Sequence, residues 1–195
     1  MKTVLLFSKG MDSIALAFSK RPDLLMTIDY GHRSAEGEIR AAQTVAGLLS
    51  LPLSIVRVDC GTLGSGDLAG TAPLAIAPAS DWWPYRNQLL VTIAASHAIG
   101  AKFEQMMIAT VRSDAAHADG RSDFIEALDA VLQFQEGGLR LVAPAIEMST
   151  TELVRSSGID ASTLGWAHSC HRSPWSCGQC RGCNKCREVW QELGW

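Results

Sequence analysis

The sequence predicts an α/β protein built on a doubly wound parallel sheet, with a small cysteine-bearing segment at its C-terminal end. Three observations lead there. Short apolar runs alternate with stretches of helical periodicity along most of the chain. A small-residue turn, Ser8-Lys9-Gly10-Met11-Asp12-Ser13, falls between the first run and the first helical stretch, where folds of this class gather ligands. Five of the six cysteines lie between Cys170 and Cys186, at spacings that suit one metal ion.

Taken in order, residues 4–7 are an apolar run that reads as a buried strand. Residues 12–20 follow as a helix carrying Ile14, Leu16, Ala17 and Phe18. Residues 24–29 form a second strand, and residues 35–49 a second helix with Ile39, Ala42, Ala46 and Leu49 on one face. A third strand spans 53–58. The stretch from Cys60 to Arg86 is rich in alanine, glycine and proline and has little periodicity, so it reads as a lid over the site, with a surface insertion as the plainer alternative. A helix over 87–99, a strand over 106–111 and a helix over 123–135 come next; Phe124, Leu128, Val131 and Leu132 keep register in the last of these. A weak strand at 139–143 and a short helix at 151–156 complete the body. This divides the chain into a nucleotide-binding domain at 1–165 and a metal-binding segment with a terminal helix at 166–195.

Composition narrows the function. The 195 residues are 47% hydrophobic and 19% charged, a globular balance. The net charge of −3 and pI near 5.9 favour a small-molecule substrate over nucleic acid. No apolar run approaches the length that spans a bilayer, and the opening run through Phe7 is too short for a signal peptide. A cytoplasmic location is expected. In a reducing compartment, clustered cysteines read as metal ligands before disulfides. Isolated Cys60 reads as a buried small apolar residue.

The turn at Ser8–Ser13 is no Walker loop, since G-x-x-x-x-G-K-[ST] is absent. It would still aim backbone N–H groups and a helix N-terminus at an anion, with hydroxyls from Ser8 and Ser13 and a Mg²⁺-binding carboxylate from Asp12. The plainer alternative is that Asp12 or Ser13 merely caps the helix.

Cys170-x6-Cys177-x2-Cys180-x2-Cys183-x2-Cys186 is the strongest signal by spacing alone. Four thiolates leave no open position on Zn²⁺, so the site would be structural. An iron–sulfur cluster and redox-active thiols are the competing readings. Spacing does not choose four ligands from the five cysteines plus His168 and His171. Arg172, Arg181, Lys185 and Arg187 make this tail locally basic, which reads as a solvated face, as anion contacts to a bound nucleotide, or as a nucleic-acid-binding knuckle.

Several blocks, in one order, make the chain resemble the 7-cyano-7-deazaguanine synthase (QueC-like) family of ATP pyrophosphatases. Ser8, Gly10, Asp12 and Ser13 match the S-G-G-x-D-S PP-loop, with Lys9 in place of the first glycine, where it would add a phosphate-neutralising ammonium or perturb the turn. Asp29-Tyr30-Gly31-His32-Arg33 resembles D-Y-G-Q-R, with His32 for glutamine and Ser34 for histidine. Pro84-Tyr85-Arg86-Asn87 resembles P-G-R-N, with Arg86 placed to bind an anion and Asn87 to cap the helix. Asp119, Arg121 and, with a one-residue gap, Asp114 fit the stretch D-x-x-x-Y-P-D-C-R-x-E-F, where Gly120 replaces cysteine and His117 replaces tyrosine. Thr150 stands at the lysine of T-K-x-E, Glu152 matching. The pattern S-C-…-C-G-x-C-x-x-C maps onto Ser169, Cys170, Cys177, Gly178, Cys180 and Cys183, leaving Cys186 spare.

The resemblance implies an adenine nucleotide alpha-hydrolase-like fold and three cofactors: ATP, Mg²⁺ and Zn²⁺. It implies adenylation of 7-carboxy-7-deazaguanine and nitrogen transfer from ammonia, giving first the amide and then the nitrile of queuosine biosynthesis. Asp12, Arg86 and Asp119 would carry the chemistry. The loop residues Ser8, Lys9, Gly10, Met11, Asp12 and Ser13 would bind ATP, and Tyr30, Arg33, Arg86, Asn87, Asp114, Asp119 and Arg121 the substrate. Cys170, Cys177, Cys180 and Cys183 would hold zinc. Two alternatives stand beside this. One is a ligase joining the activated acid to an amine of a partner protein in antiviral defence. The other is a non-catalytic nucleotide- or nucleic-acid-binding module. The expected partners are the deazaguanine acid with ammonia or an amine, with room for a protein acceptor or a homodimer, and without nucleic acid or membrane.

Overall fold

A computed structural model describes residues 1–195. Five strands form one all-parallel sheet: β1 (Thr3–Leu6), β2 (Leu24–Asp29), β3 (Leu53–Arg57), β4 (Gln105–Met107) and β5 (Arg140–Val142), in the order β3-β2-β1-β4-β5. Parallel neighbours need crossovers, and helices supply them: α1 (Met11–Lys20), α2 (Ala35–Leu49), α3 (Gly66–Ala69), α4 (Arg86–Gly100) and α5 (Ser122–Gln133). Beyond the sheet lie α6 (Thr150–Ser157), α7 (Ala161–Leu164) and α8 (Arg181–Leu193). No helix is long and apolar enough to cross a membrane.

Strand alternation splits the core into two layers. Leu5, Leu25 and Met107 face a cluster with α1, α2, α6 and α8, in which Ile14, Leu16, Val45, Leu153 and Val189 are buried. Val4, Met26 and Met106 face the other way, against Val91 and Ala94 of α4 and Ile125 and Leu128 of α5. With both faces covered, the central strands β1 and β2 are mostly apolar on both sides, while the edge strand β3 carries Ser54 and Arg57.

The strand order reverses between β1 and β4. The chain leaves β1 toward β2 on one side and returns through α4 to β4 on the other. The crevice at the carboxyl ends of these two strands is therefore open, and both following loops reach it. The fourth strand is shorter than its apolar run suggests. After Ile108, whose N–H still bonds to Val142, the chain turns into two 3-10 turns at Arg112–Ala116 and Ala118–Gly120.

Residues 60–86 differ from the featureless lid expected. They contain a 3-10 turn at Gly61–Leu63 and the short helix α3. Trp83, 1% exposed, packs into the α4 layer with Leu68, and Cys60 is buried with them. The segment is tied to the C-terminal tail by Arg172–Asp67 at 3.0 Å and His171–Asp81 at 3.1 Å. Large apolar side chains override weak local propensity here. The tail in turn crosses α2 at Gly37. A Cβ there would stand 2.4 Å from the Pro174 carbonyl oxygen, so only glycine permits the approach.

Candidate active site and metal cluster

β1 ends in Phe7, and Ser8, Lys9 and Gly10 turn the chain into α1. Lys9 has φ +62°, the left-handed conformation natural to glycine. It is only 2% exposed, and its ammonium lies 2.7 Å from Glu38 Oε2. Glu38 also accepts from Ser34 Oγ at 2.9 Å and lies 3.1 Å from His32 Nε2. Burial alone would raise the Glu38 carboxyl, but Lys9 and His32 outweigh it and hold it well below its ordinary range. The turn thus survives the loss of its glycine. The Lys9 ammonium is paired with Glu38 in this structure.

Gly10 is the N-cap of α1, a role that neither Asp12 nor Ser13 takes. The Ser13 hydroxyl donates to the Gly10 carbonyl at 3.1 Å inside the core. Asp12 points into a cavity of about 290 Å³. Ser8, Lys9, Gly10 and Met11 line this cavity from the loop and the start of α1, with Tyr30 after β2, Arg86 and Asn87 at the start of α4, and Asp114 and Asp119 in the 3-10 turns after β4. Three expected residues are elsewhere. Ser13 is turned into the core and Arg33 is exposed outside the cavity. Arg121 is exposed too, donating from Nε to the Ala115 carbonyl at 3.3 Å. An arginine next to a turn is easily matched by sequence, but backbone direction decides which way it faces.

The cavity floor is polar and crowded. Asp12 Oδ2 lies 3.2 Å and Asp114 Oδ1 3.5 Å from Lys185 Nζ, which reaches in from α8. Burial raises the Asp12 carboxyl, with Lys185 opposing. Asp12 Oδ1 and the Thr150 hydroxyl are buried with no partner beyond each other. Asp114 Oδ2 accepts from the Val111 N–H at 3.1 Å. Asn87 does not cap α4, because Tyr85 precedes the helix. Instead its N–H donates to Asp119 Oδ2 at 3.3 Å and its Nδ2 to the Asp119 carbonyl at 3.0 Å. Burial opposes the Arg86 charge, but the carboxylates of Asp119 and Asp81 outweigh it and favour the charged guanidinium. Tyr30 stacks on His32 at 4.0 Å between centroids and meets Trp83 edge-on.

Gly120 has a steric reason. A Cβ at this position would sit 2.2 Å from the Asp114 carbonyl oxygen, so the two 3-10 turns close on each other only around glycine. His117, between them, meets Arg181 Nη1 at 2.7 Å, and Arg181 reaches Asp81 Oδ1 at 3.4 Å. This polar strap joins the 60–86 segment, the turns after β4 and the tail at the cavity mouth.

The sulfur donors of Cys170, Cys177, Cys180 and Cys183 all lie within 4.8 Å of one another. Cys177 and Cys183 are 3.9 Å apart, and Cys170 and Cys180 4.0 Å. Tetrahedral thiolates at ~2.3 Å from a single Zn²⁺ stand ~3.8 Å apart. The donor set therefore fits one mononuclear ion. Backbone N–H groups of His171 and Cys183 donate to the Cys180 sulfur, and that of Cys180 to Cys177. N–H groups of Gln179 and Cys180 pull the Cys177 thiol down to about 6. Cys186 lies outside the set, half-buried near Trp190. Cys180 is also the N-cap of α8, so the ligand cluster sets the start of the helix that carries Lys185.

Glu38 carries no signal in the sequence, and Thr150 is marked there only as a departure from the family pattern. Lys185 was visible only as one of several basic tail residues, and nothing local distinguishes the lysine that turns inward.

The family model described as "Queuosine biosynthesis protein QueC" matches residues 2–194. The chain is 27% identical over 220 residues to the 7-cyano-7-deazaguanine synthase of Methanosarcina barkeri, covering all of this chain and 95% of that one. It is 30% identical over 203 residues to the enzyme of that name from Chlorobium luteolum, covering 94% and 88%. Among solved structures it resembles the U34-tRNA thiolase NcsA of Methanococcus maripaludis, determined with its [4Fe-4S] cluster. The TM-score is 0.56 at 15% identity, over 99% of this chain and 65% of that one, which establishes the shared PP-loop fold. By the full-length match of sequence and fold, the chain belongs to the QueC family of queuosine biosynthesis proteins, ATP-dependent enzymes of the PP-loop type.

Proposed function

We propose that this chain adenylates 7-carboxy-7-deazaguanine and transfers nitrogen to it from ammonia, yielding the 7-amide and then the 7-cyano product. One observation carries the reading: the Ser8–Asp12 loop shares a single cavity with Arg86, Asp114 and Asp119, at the point where the strand order reverses. A carboxylate is a poor electrophile until one of its oxygens bonds to the α-phosphorus and pyrophosphate leaves. Ammonia then bonds to the acyl carbon as AMP departs. A second activation, on the amide oxygen, expels AMP with loss of two protons and leaves the nitrile. The protein needs no nucleophile of its own. It brings two anions together, neutralises them and excludes water.

The loop N–H groups and the α1 N-terminus would hold the pyrophosphate end. Mg²⁺, held by Asp12 with Asp114, would neutralise charge on the leaving group. Arg86, which lines the cavity with Tyr30 and Asp119, would face the acyl carboxylate or the α-phosphate. Asp119 would orient the base, because a carboxylate accepts from the two adjacent donors of a deazaguanine amidine edge. Residues 1–165 would form the catalytic body and residues 166–195 a structural zinc segment. The sulfur spacing supports a single zinc ion over a [4Fe–4S] cluster, whose four thiolates each bind a different iron and spread further apart.

The test is incubation with ATP, Mg²⁺, 7-carboxy-7-deazaguanine and ammonium, reading pyrophosphate release and product mass. Acid-dependent pyrophosphate and a mass matching amide or nitrile are expected. No pyrophosphate above the acid-free control refutes the reading. Pyrophosphate without either product, restored to product formation by another amine, corrects the acceptor alone.

A further inference from the structure

The four basic residues of the tail have different fates. Arg172 pairs with Asp67, Arg181 with Asp81 and His117, and Arg187 Nη2 donates to the Gly178 carbonyl. Lys185 alone enters the cavity, where its ammonium bridges two carboxylates from separate loops, Asp12 after β1 and Asp114 after β4. Those are the oxygens that would take a divalent cation. Beside them, Asp12 Oδ1 and the hydroxyl of Thr150, itself 5% exposed, are buried and line the cavity with no partner beyond each other, the hydroxyl helping to lower the Asp12 carboxyl. The loop lysine, Lys9, is spent on Glu38. Thr150, which lines the cavity beside Asp12, brings no charge. The cation at this spot comes from α8 instead.

We propose that Lys185 is a phosphate-contacting residue of the nucleotide site that shares Asp12 and Asp114 with the divalent cation. In the free protein its ammonium occupies the gap between the carboxylates. When the Mg²⁺–nucleotide complex enters, the cation takes the carboxylate oxygens, and the lysine, on a flexible four-carbon stem and 37% exposed, moves onto the phosphate oxygens. No bond is made or broken. The metal-bearing tail is then part of the nucleotide site, because the helix that starts at Cys180 carries the cation. This rests on the proposed nucleotide-binding role of the loop.

The two halves have opposite signatures. Removing the ammonium takes a partner from the phosphates but leaves two carboxylates freer to bind metal. A lysine serving only to hold α8 in place would produce neither. Wild type, Lys185→Met and Lys185→Arg would be titrated by calorimetry with a non-hydrolysable Mg²⁺–ATP analogue, and separately with Mn²⁺ alone by electron paramagnetic resonance. Lys185→Met is expected to bind the analogue about tenfold more weakly, a factor worth ~1.4 kcal/mol, and Mn²⁺ several-fold more tightly. Lys185→Arg should retain most of the analogue affinity. Equal analogue affinity in wild type and Lys185→Met overturns the proposal, as does weaker Mn²⁺ binding in the variant. If Lys185→Met fails to fold, Lys185→Arg decides: a tenfold loss of analogue affinity with unchanged melting would show that the cation itself is not what the phosphates use. Wild type that binds no nucleotide overturns the loop assignment, and the lysine proposal falls with it.

Discussion

Replacing Lys9 by methionine would test whether the buried ion pair, rather than glycine, maintains the loop. The ammonium is 2.7 Å from Glu38 and almost fully buried, while Glu38 is 17% exposed and has Ser34 and His32 as its other partners. Removing one member of a buried pair typically costs 3–5 kcal/mol because the remaining charge is stranded. With two other polar neighbours left to Glu38, about 3 kcal/mol is expected. For a chain of this size that lowers the melting temperature by roughly 6–12 °C. Lys9→Met/Glu38→Gln should recover part of the loss, since it removes the stranded charge. The sign with pH is fixed by the lowered Glu38 pKa: its folded value lies below the unfolded 4.5. Its contribution is therefore fully present above pH 4.5 and disappears as pH falls toward the folded value. In Lys9→Met the stranded carboxylate protonates more easily, so the gap from wild type should narrow in acid. The assay is urea unfolding of the single and double variants at pH 7 and 4.5. A loss below 1 kcal/mol for Lys9→Met, or a double variant no better than the sum of the singles, refutes the reasoning.

Three further outcomes follow from the geometry. Gly120→Ala should cost about 1–3 kcal/mol, since its Cβ would meet the Asp114 carbonyl oxygen at 2.2 Å, and should slow pyrophosphate release by moving Asp114; unchanged unfolding and rate would contradict this. Purified protein should contain one zinc per chain by elemental analysis and be colourless, and chelation should weaken nucleotide binding together with loss of α8; stoichiometric iron would overturn the zinc assignment. Trp83→Ala should destabilise by about 3–5 kcal/mol in urea unfolding, because the ring is 1% exposed against the α4 layer; a surface-like change under 0.5 kcal/mol would show that the 60–86 segment contributes no core.

Strand and helix order were legible because both faces of the sheet are buried. The runs at 24–29 and 53–58 are mainly apolar, with polar residues such as Asp29 and Arg57 at their carboxyl ends, and the helices between them carry one apolar face. The segment 60–86 was not legible. Its local signals are alanine, glycine and proline, and Trp83 gains its place from a cluster that includes partners distant in sequence, such as Tyr30 just after β2. Asn87 looked like a helix cap from its position, yet the chain enters α4 through Tyr85 in a left-handed conformation, and Asn87 turns to Asp119.

By itself, the sequence determined the parallel α/β architecture, the position of the small-residue turn after the first strand and the presence of a cysteine cluster, because periodicity, turn chemistry and C-x-x-C spacing are local properties; which four thiols converge was set by the fold. Tertiary structure alone decided that Lys9 turns inward to Glu38, that Arg33 and Arg121 face away from the cavity, and that Lys185 crosses from the helix that starts at Cys180 to Asp12 and Asp114. A side chain's charge is written in its residue type. The partner it neutralises is set by how helices far apart in sequence pack over the carboxyl ends of the strands.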